Sequence, residues 1–160
     1  MLYAYVQSPI GLIAITETDG FITSLLFVDA KTHLETETVL LAQAKQQINA
    51  YFAGTLKQFS LPIKQKGTAF RQAVWLSLHD IGYAHTIAYS TLASRMNNKL
   101  AIRAIAAANG KNAIMLLVPC HRVLGINGEM TGYAGEIWRK QWLLNHESKI
   151  AGLGQVSLAL

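Results

Sequence analysis

One thiol stands in this chain, and its neighbours are residue types that can activate it. Cys120 is the only cysteine among 160 residues, inside Leu117-Val118-Pro119-Cys120-His121-Arg122-Val123-Leu124. A thiol attacks as thiolate, and a nearby base or cation lowers the cost of making one. His121 offers the base and Arg122 the cation, so the triplet reads as a sulfur nucleophile with a depressed pKa. The competing reading is an inert buried thiol, since free cysteine is among the most buried residue types. Composition alone favours the inert reading; the surroundings of the cysteine reverse it.

The elements that must position this sulfur divide into two stretches. In the first, Leu2–Val6, Gly11–Ile15 and Phe21–Val28 are short runs rich in β-branched and aromatic residues, separated by Ser8-Pro9 and Asp19-Gly20. They predict a small antiparallel meander. Leu41, Ala44, Ile48, Tyr51 and Phe52 then recur at helical spacing up to Gly54. Residues 56–67, with Pro62 and Gly67, read as a linker. In the second stretch Thr68 caps a helix whose apolar face holds Phe70, Val74, Trp75 and Leu78. Ser90 caps a short helix over Leu92–Met96, Asn97-Asn98 turns the chain, and a second helix spans Lys99 to Asn109, stopped by Gly110. Two short helices joined by a tight turn form a helix-turn-helix candidate. In the second of them Ile102 and Ile105 are expected to face the core, leaving alanines and Arg103 outside. After the cysteine, Gly125–Gly135 is glycine-rich but lacks the Gly-Lys-Ser/Thr of a phosphate loop. A last helix is expected from Glu136 to His146. The domains expected are 1–66, an α/β domain with its linker, and 67–148, mainly helical, with 149–160 as a tail.

Charge is distributed unevenly. The net charge is +5, made up of −3 over residues 1–56, +8 over 57–122 and 0 over 123–160. The middle segment carries nine basic side chains against Asp80 alone, the footprint expected for a polyanion or, more blandly, a solvated basic surface. No apolar run reaches the length of a membrane span. Met1–Thr16 has no basic segment leading into an apolar one, so no secretory signal is expected. A single cysteine makes no internal disulfide and no Cys-rich zinc site, which points to a reducing compartment, the cytoplasm.

The motifs together resemble those of the methylated-DNA–protein-cysteine methyltransferases, also called O6-alkylguanine-DNA alkyltransferases. Pro119-Cys120-His121-Arg122-Val123 is similar to that family's hallmark. Gly67 to Trp75 resembles the opening of its catalytic domain. Tyr89-Ser90 with Leu92-Ala93, Arg103-Ala104-Ile105 with Asn112, Thr131 to Gly135, and Lys140 to Glu147 resemble its other segments in the same order. The match is strongest over 67–147 and looser over 1–66. The resemblance implies an N-terminal α/β domain, with a small antiparallel sheet plus helix and ribonuclease H-like. It implies a mainly α C-terminal domain with a helix-turn-helix, winged-helix-like.

It also implies roles. Cys120 takes a methyl or larger alkyl group from guanine O6 in DNA, once per molecule; O4-methylthymine is a further alkyl donor that the sequence does not rank. His121 acts as base through a water, Glu147 orients it, Tyr89 gives a proton toward guanine N3, and Asn112 ties down the turn at the cysteine. Val123, Tyr133, Ala134 and Gly135 line the base pocket. Arg103 enters the duplex in place of an extruded nucleotide, and Ala104, Tyr89 and Lys99 meet DNA through the minor groove. Extrusion follows from the chemistry, because O6 is unreachable inside stacked, paired DNA. The partner is double-stranded DNA; a monomer with no cofactor, no metal and no membrane is expected. The chain departs from the family's frequent pattern at Gly82, Ala84 and His85, at Ala106 where glycine is common, and at Ala113 where proline is common. Two other functions fit parts of the pattern: a non-catalytic alkylated-DNA-binding protein of the same fold, which retention of Cys120 opposes, and a cysteine hydrolase, for which no oxyanion-hole motif is present.

Overall fold

A computed structural model of the chain describes residues 1–129 and 133–153. Met130, Thr131 and Gly132, and residues 154–160 of the expected tail, lie outside the described residues. The chain forms two compact units: Met1–Gln65 with Ala113–Leu117, and Lys66–Asn112 with the residues from Val118 onward.

The first unit is built on the meander. β1 (Leu2–Ser8), β2 (Gly11–Thr18) and β3 (Phe21–Val28) pair antiparallel in that order. Tyr5 faces Ala14 and Ile15 faces Leu25, with an irregularity at Thr16/Glu17. Asp19 and Gly20 both have positive φ, 52° and 82°. A tight type I′ hairpin turn needs that sign at both central positions, and Asp-Gly supplies it cheaply. α1 (Val39–Ala53) starts at Thr38, whose hydroxyl accepts from Leu41 N at 3.0 Å. Leu41, Ala44, Ile48 and Tyr51 are buried and Gly54 closes the helix in the left-handed conformation, as the spacing predicts.

Part of the expected linker is paired strand-like chain instead. Ile22 N donates to Pro62 O at 2.8 Å and Lys64 N to Ile22 O at 3.0 Å. Ala113–Leu117 lies on β3 in the same way, with Leu25 N donating to Ala113 O and Met115 N to Leu25 O. β3 therefore has no bare edge there, which the composition of 56–67 did not reveal.

The second unit is mainly helical. α2 (Ala69–Leu78) is capped by Thr68, whose hydroxyl accepts from Arg71 N, and buries Val74, Trp75 and Leu78. Gly67 is required by packing: a Cβ there would sit 2.6 Å from the Trp75 ring. Trp75 Nε1 donates to Ala108 O at 2.9 Å, joining α2 to α4. β4 (Ile87–Ala88) runs parallel to β5 (Val123–Leu124). α3 (Tyr89–Arg95) and α4 (Ile102–Gly110) form the two-helix motif, turning at Asn97, φ 55°. α5 (Ile137–Ile150) closes the unit.

The boundaries of three helices and the facing of one residue differ from the sequence reading. α3 begins at Tyr89 rather than after Ser90, because pairing with β5 holds the chain extended only as far as Ala88. α4 begins at Ile102 rather than at Lys99, and Gly110 is its last residue, with Lys111 as its cap. Ile105 is fully buried but Ile102, in the first turn, is 40% exposed. α5 runs four residues past His146, so Glu147 lies within a helix and not at its end. No helix among the described residues is long and apolar enough to cross a membrane.

Candidate active site

Cys120 opens a single 3-10 turn, Cys120–Arg122, that leads into β5. The Pro119 carbonyl accepts from Arg122 N, and Cys120 N donates to Val118 O at 2.8 Å. Three successive side chains thereby leave a short rigid turn in different directions. Cys120 is 2% exposed and His121 is fully buried.

The sulfur is held from the turn that follows α4. Asn112 Nδ2 donates to Val118 O at 3.0 Å and to Cys120 Sγ at 3.2 Å. Arg122 does not reach the sulfur. Its guanidinium clasps Glu147, with Nε to Oε1 at 2.9 Å and Nη2 to Oε2 at 3.1 Å, while Nη1 donates to Ile81 O at 2.8 Å. Glu147 also takes His121 Nε2 at 2.7 Å and Ala84 N at 3.1 Å. Ala84 holds φ 61° at a position where the resembled family often has glycine, and that strained turn carries its N–H to the carboxylate.

The partner of His121 settles its tautomer. A carboxylate only accepts, so the nitrogen facing Glu147 bears the hydrogen. Nδ1 then carries the lone pair of the neutral ring, and it has no hydrogen-bond partner among the described residues. Burial lowers the His121 pKa despite the opposing pull of Glu147. Burial also acts to raise that of Glu147, but His121 and Arg122 overcome it and hold the carboxyl well below the usual range. With the imidazole neutral near pH 7, Arg122 supplies the positive charge. The result is a buried ring with an ionised acceptor on one nitrogen and a basic lone pair on the other.

The thiol differs from expectation. Burial pushes Cys120 up from 9.0, against the Asn112 hydrogen bond and the charge of Lys140. The adjacent histidine does not depress it, because that ring is neutral and aimed at Glu147. In the DNA-free protein, the rate of Cys120 alkylation by iodoacetamide is therefore expected to be still climbing at pH 9. A plateau reached by pH 8 would show a depressed thiol and contradict this.

Other expected site residues are dispersed. Tyr89, at the start of α3, is buried, and its hydroxyl accepts from Asn109 Nδ2 at 3.1 Å. Val123 is fully buried in β5. Tyr133 is buried with its hydroxyl unpartnered among the described residues, Gly135 is buried and Ala134 is exposed. Glu136 beside them has φ 76° and ψ 146°, a conformation costly for a residue with a Cβ. Arg103 and Ala104 on α4, and Lys99 in the turn before it, are exposed and stand apart from the buried network.

Sequence reading missed Asn109, Arg122 as the clasp on Glu147, and Lys140. Lys140 is fully buried on α5, its Nζ donates to Val123 O at 2.6 Å, and burial lowers its pKa from 10.5 to about 8. Lysine in a helix ordinarily signals solvent, and only the hallmark and closing motifs around Arg122 and Lys140 hinted otherwise. No cluster of potential metal ligands occurs among the described residues.

A helix-turn-helix unit carrying a buried Cys-His-Glu array, in one chain with a small α/β unit, defines a class of DNA-directed cysteine acceptors. Comparison is specific. Residues 1–65 match the family model for the 6-O-methylguanine DNA methyltransferase ribonuclease-like domain, and 69–149 match that for its DNA-binding domain. The chain belongs to the 6-O-methylguanine DNA methyltransferase family. It is 42% identical over 155 residues to the constitutive methylated-DNA–protein-cysteine methyltransferase of Bacillus subtilis, covering 91% of this chain and 94% of that one. It is 37% identical to a methyltransferase of the same description from Methanosarcina acetivorans, covering 92% and 98%. Among solved structures, Mycobacterium tuberculosis OGT in complex with DNA superposes with a TM-score of 0.86 at 38% identity, covering 94% of each chain.

Proposed function

We propose that this protein repairs DNA by moving the alkyl group of O6-alkylguanine onto its own Cys120, once per molecule. What supports the reading most is the neutral His121, fixed by Glu147 so that its lone pair sits on Nδ1 within a buried site. A raised thiol pKa is not an obstacle. The proton leaves Cys120 as attack begins, passing through a water to Nδ1, so no standing thiolate is required. The sulfur lone pair forms the S–C bond while the C–O6 bond breaks. Its electron pair passes into the guanine ring, where a proton from Tyr89 at N3 neutralises it. Overall the thiol hydrogen is exchanged for guanine's new N–H. A thioether has no acidic hydrogen and no group among the described residues reverses it, so the protein is consumed.

Asn112 holds the sulfur in place by its 3.2 Å contact. Val123, Tyr133, Ala134 and Gly135 line the pocket for the extruded base. Arg103 fills the gap in the duplex, with Ala104 and Lys99 beside it against the minor groove; the small alanine side chain permits close approach. Affinity comes mostly from phosphate contacts and falls with salt. The protein acts as a monomer in the cytoplasm, where a lone functional thiol stays reduced.

Peptide mass after incubation with an O6-methylguanine duplex tests this: Cys120 gains one methyl group and no second turnover follows. In the same assay Arg103→Ala slows reaction with duplex more than with free O6-benzylguanine. An unmodified Cys120, or repeated turnover, removes the proposal; equal slowing on both substrates removes the role of Arg103.

A further inference from the structure

Asn109 has a part in the site that the roles above do not use. It is 1% exposed, at the end of α4, three residues before Asn112. Its Nδ2 lies 3.1 Å from Tyr89 Oη and 3.1 Å from the Cys120 carbonyl oxygen. The second contact fixes the amide. A carbonyl only accepts, so the atom facing Cys120 O has to be the NH2; the flipped amide would set two oxygens against each other. The same NH2 faces Tyr89, so the phenol oxygen accepts there. That bond spends an oxygen lone pair and not the hydroxyl proton. A hydroxyl that accepts one hydrogen bond becomes a stronger donor in the next, since chained hydrogen bonds polarise one another. Asn109 Oδ1 is buried without a hydrogen bond among the described residues, an expense that packing alone gives no reason to keep.

We infer that Asn109 is a positioning residue that sets the polarity of Tyr89, making the phenol a proton donor and tying it to the backbone of the nucleophile. The inference rests on the alkyl-transfer reading and deepens it. In the transfer step the S–C bond forms, the C–O6 bond breaks with its pair entering guanine, the phenol proton goes to N3 and the thiol proton goes to His121. Solvent exchange then returns a proton from the imidazolium to the phenolate. An acceptor in place of the Asn109 amide would draw the phenol proton to itself and leave N3 unserved.

The test is single-turnover methylation of Cys120, read by peptide mass, on two duplexes. One carries O6-methylguanine and the other its 3-deaza analogue, which has a C–H in place of N3 and cannot take the proton. Wild type is expected to react more slowly with the analogue. In Asn109→Leu that preference shrinks by roughly tenfold, part of what a positioned general acid contributes. In Tyr89→Phe the preference is lost, and Tyr89→Phe with Asn109→Leu is no slower than Tyr89→Phe alone. Should Asn109→Leu fail to fold, Asn109→Asp keeps the volume, replaces the donor by an acceptor and is expected to lose the preference too. Equal slowing on both duplexes would mark Asn109 as support for the Cys120 loop only and overturn the inference. So would an unchanged preference in the Asn109 variants, or a wild type that does not distinguish the duplexes. A wild type that methylates Cys120 on neither duplex would instead defeat the functional reading, and this inference with it.

Discussion

Cys120→Ala is expected to lose methyl uptake completely while still binding a methylated duplex. Cys120 is the only thiol in the chain, so no second sulfur can substitute. Serine or water would be poor replacements at an alkyl carbon, but alanine removes the question altogether. The variant should fold, because what it gives up is one contact from Asn112 Nδ2, itself still held by Val118 O. The stability cost is roughly 1 kcal/mol, ordinary for a small buried truncation. In the proposed function binding rests on phosphate contacts by exposed basic residues and not on the buried sulfur, so the dissociation constant should stay within about threefold at fixed salt. Peptide mass and a fluorescence titration against the same duplex read the two quantities separately. Residual methylation anywhere on the variant would show that the acceptor is another group. Loss of binding together with uptake would mean that the cysteine serves the DNA interface and not the chemistry alone.

Glu147→Gln should be the most damaging conservative change. The carboxylate accepts from His121 Nε2, from Arg122 Nε and Nη2, and from Ala84 N, with no exposed surface of its own. A glutamine keeps the shape but brings an NH2 into a cage of donors. One consequence is a buried guanidinium without its counter-charge, a loss of about 3 kcal/mol or more. At roughly 2–4 °C per kcal/mol for a chain of this size, the melting midpoint should drop by on the order of 10 °C. The other is tautomeric. If the new NH2 faces His121, Nε2 must accept, the ring hydrogen moves to Nδ1, and the lone pair that was to take the thiol proton is gone. Transfer should slow by on the order of 10⁴, the scale seen when a triad carboxylate is made an amide. A variant that melts lower but transfers at the wild-type rate would refute the orienting role and leave only the structural one.

Acid should expose the same network in the wild type. His121 has its folded pKa below 6.5, so the unfolded chain binds that proton more readily and stability begins to fall as pH drops through 6.5. Glu147 has its folded pKa below 4.5, so its contribution is complete above 4.5 and is lost as pH falls beneath it. Denaturation midpoints across pH should therefore decline in the wild type from near neutrality and steepen at the acid end. Glu147→Gln should lack the steep acid portion.

Local rules of the chain were legible where the physics is local. Asp19-Gly20 announced a hairpin turn, Thr68 a helix start, and Leu41, Ala44, Ile48 and Tyr51 a buried helical face, and each depends only on residues within a turn or two. Ser90 misled because a hydroxyl near a helix start is a cap only if the chain bends there, and the chain already turns into the helix at Tyr89, as soon as the pairing of Ala88 with Leu124 ends. Lys140 and Asn109 misled for a related reason. By residue type alone a lysine on a helix and an asparagine at a helix end give no sign of burial. Each is buried because a carbonyl far along the chain accepts its hydrogen, from Val123 and from Cys120.

By itself the sequence determined the chemical inventory and its order: one thiol, a base beside it, an acid just past the expected last helix, an arginine on an alanine-rich helix. Those follow from residue type and spacing. Only the tertiary structure decided which way the protons sit. That Arg122 serves Glu147 instead of the sulfur, that His121 keeps its lone pair on Nδ1, and that Cys120 rests as a protonated thiol all depend on burial and on contacts between residues some 25 positions apart. Protonation is set by what surrounds a group in space, and chain neighbours such as Cys120 and His121 can face different surroundings.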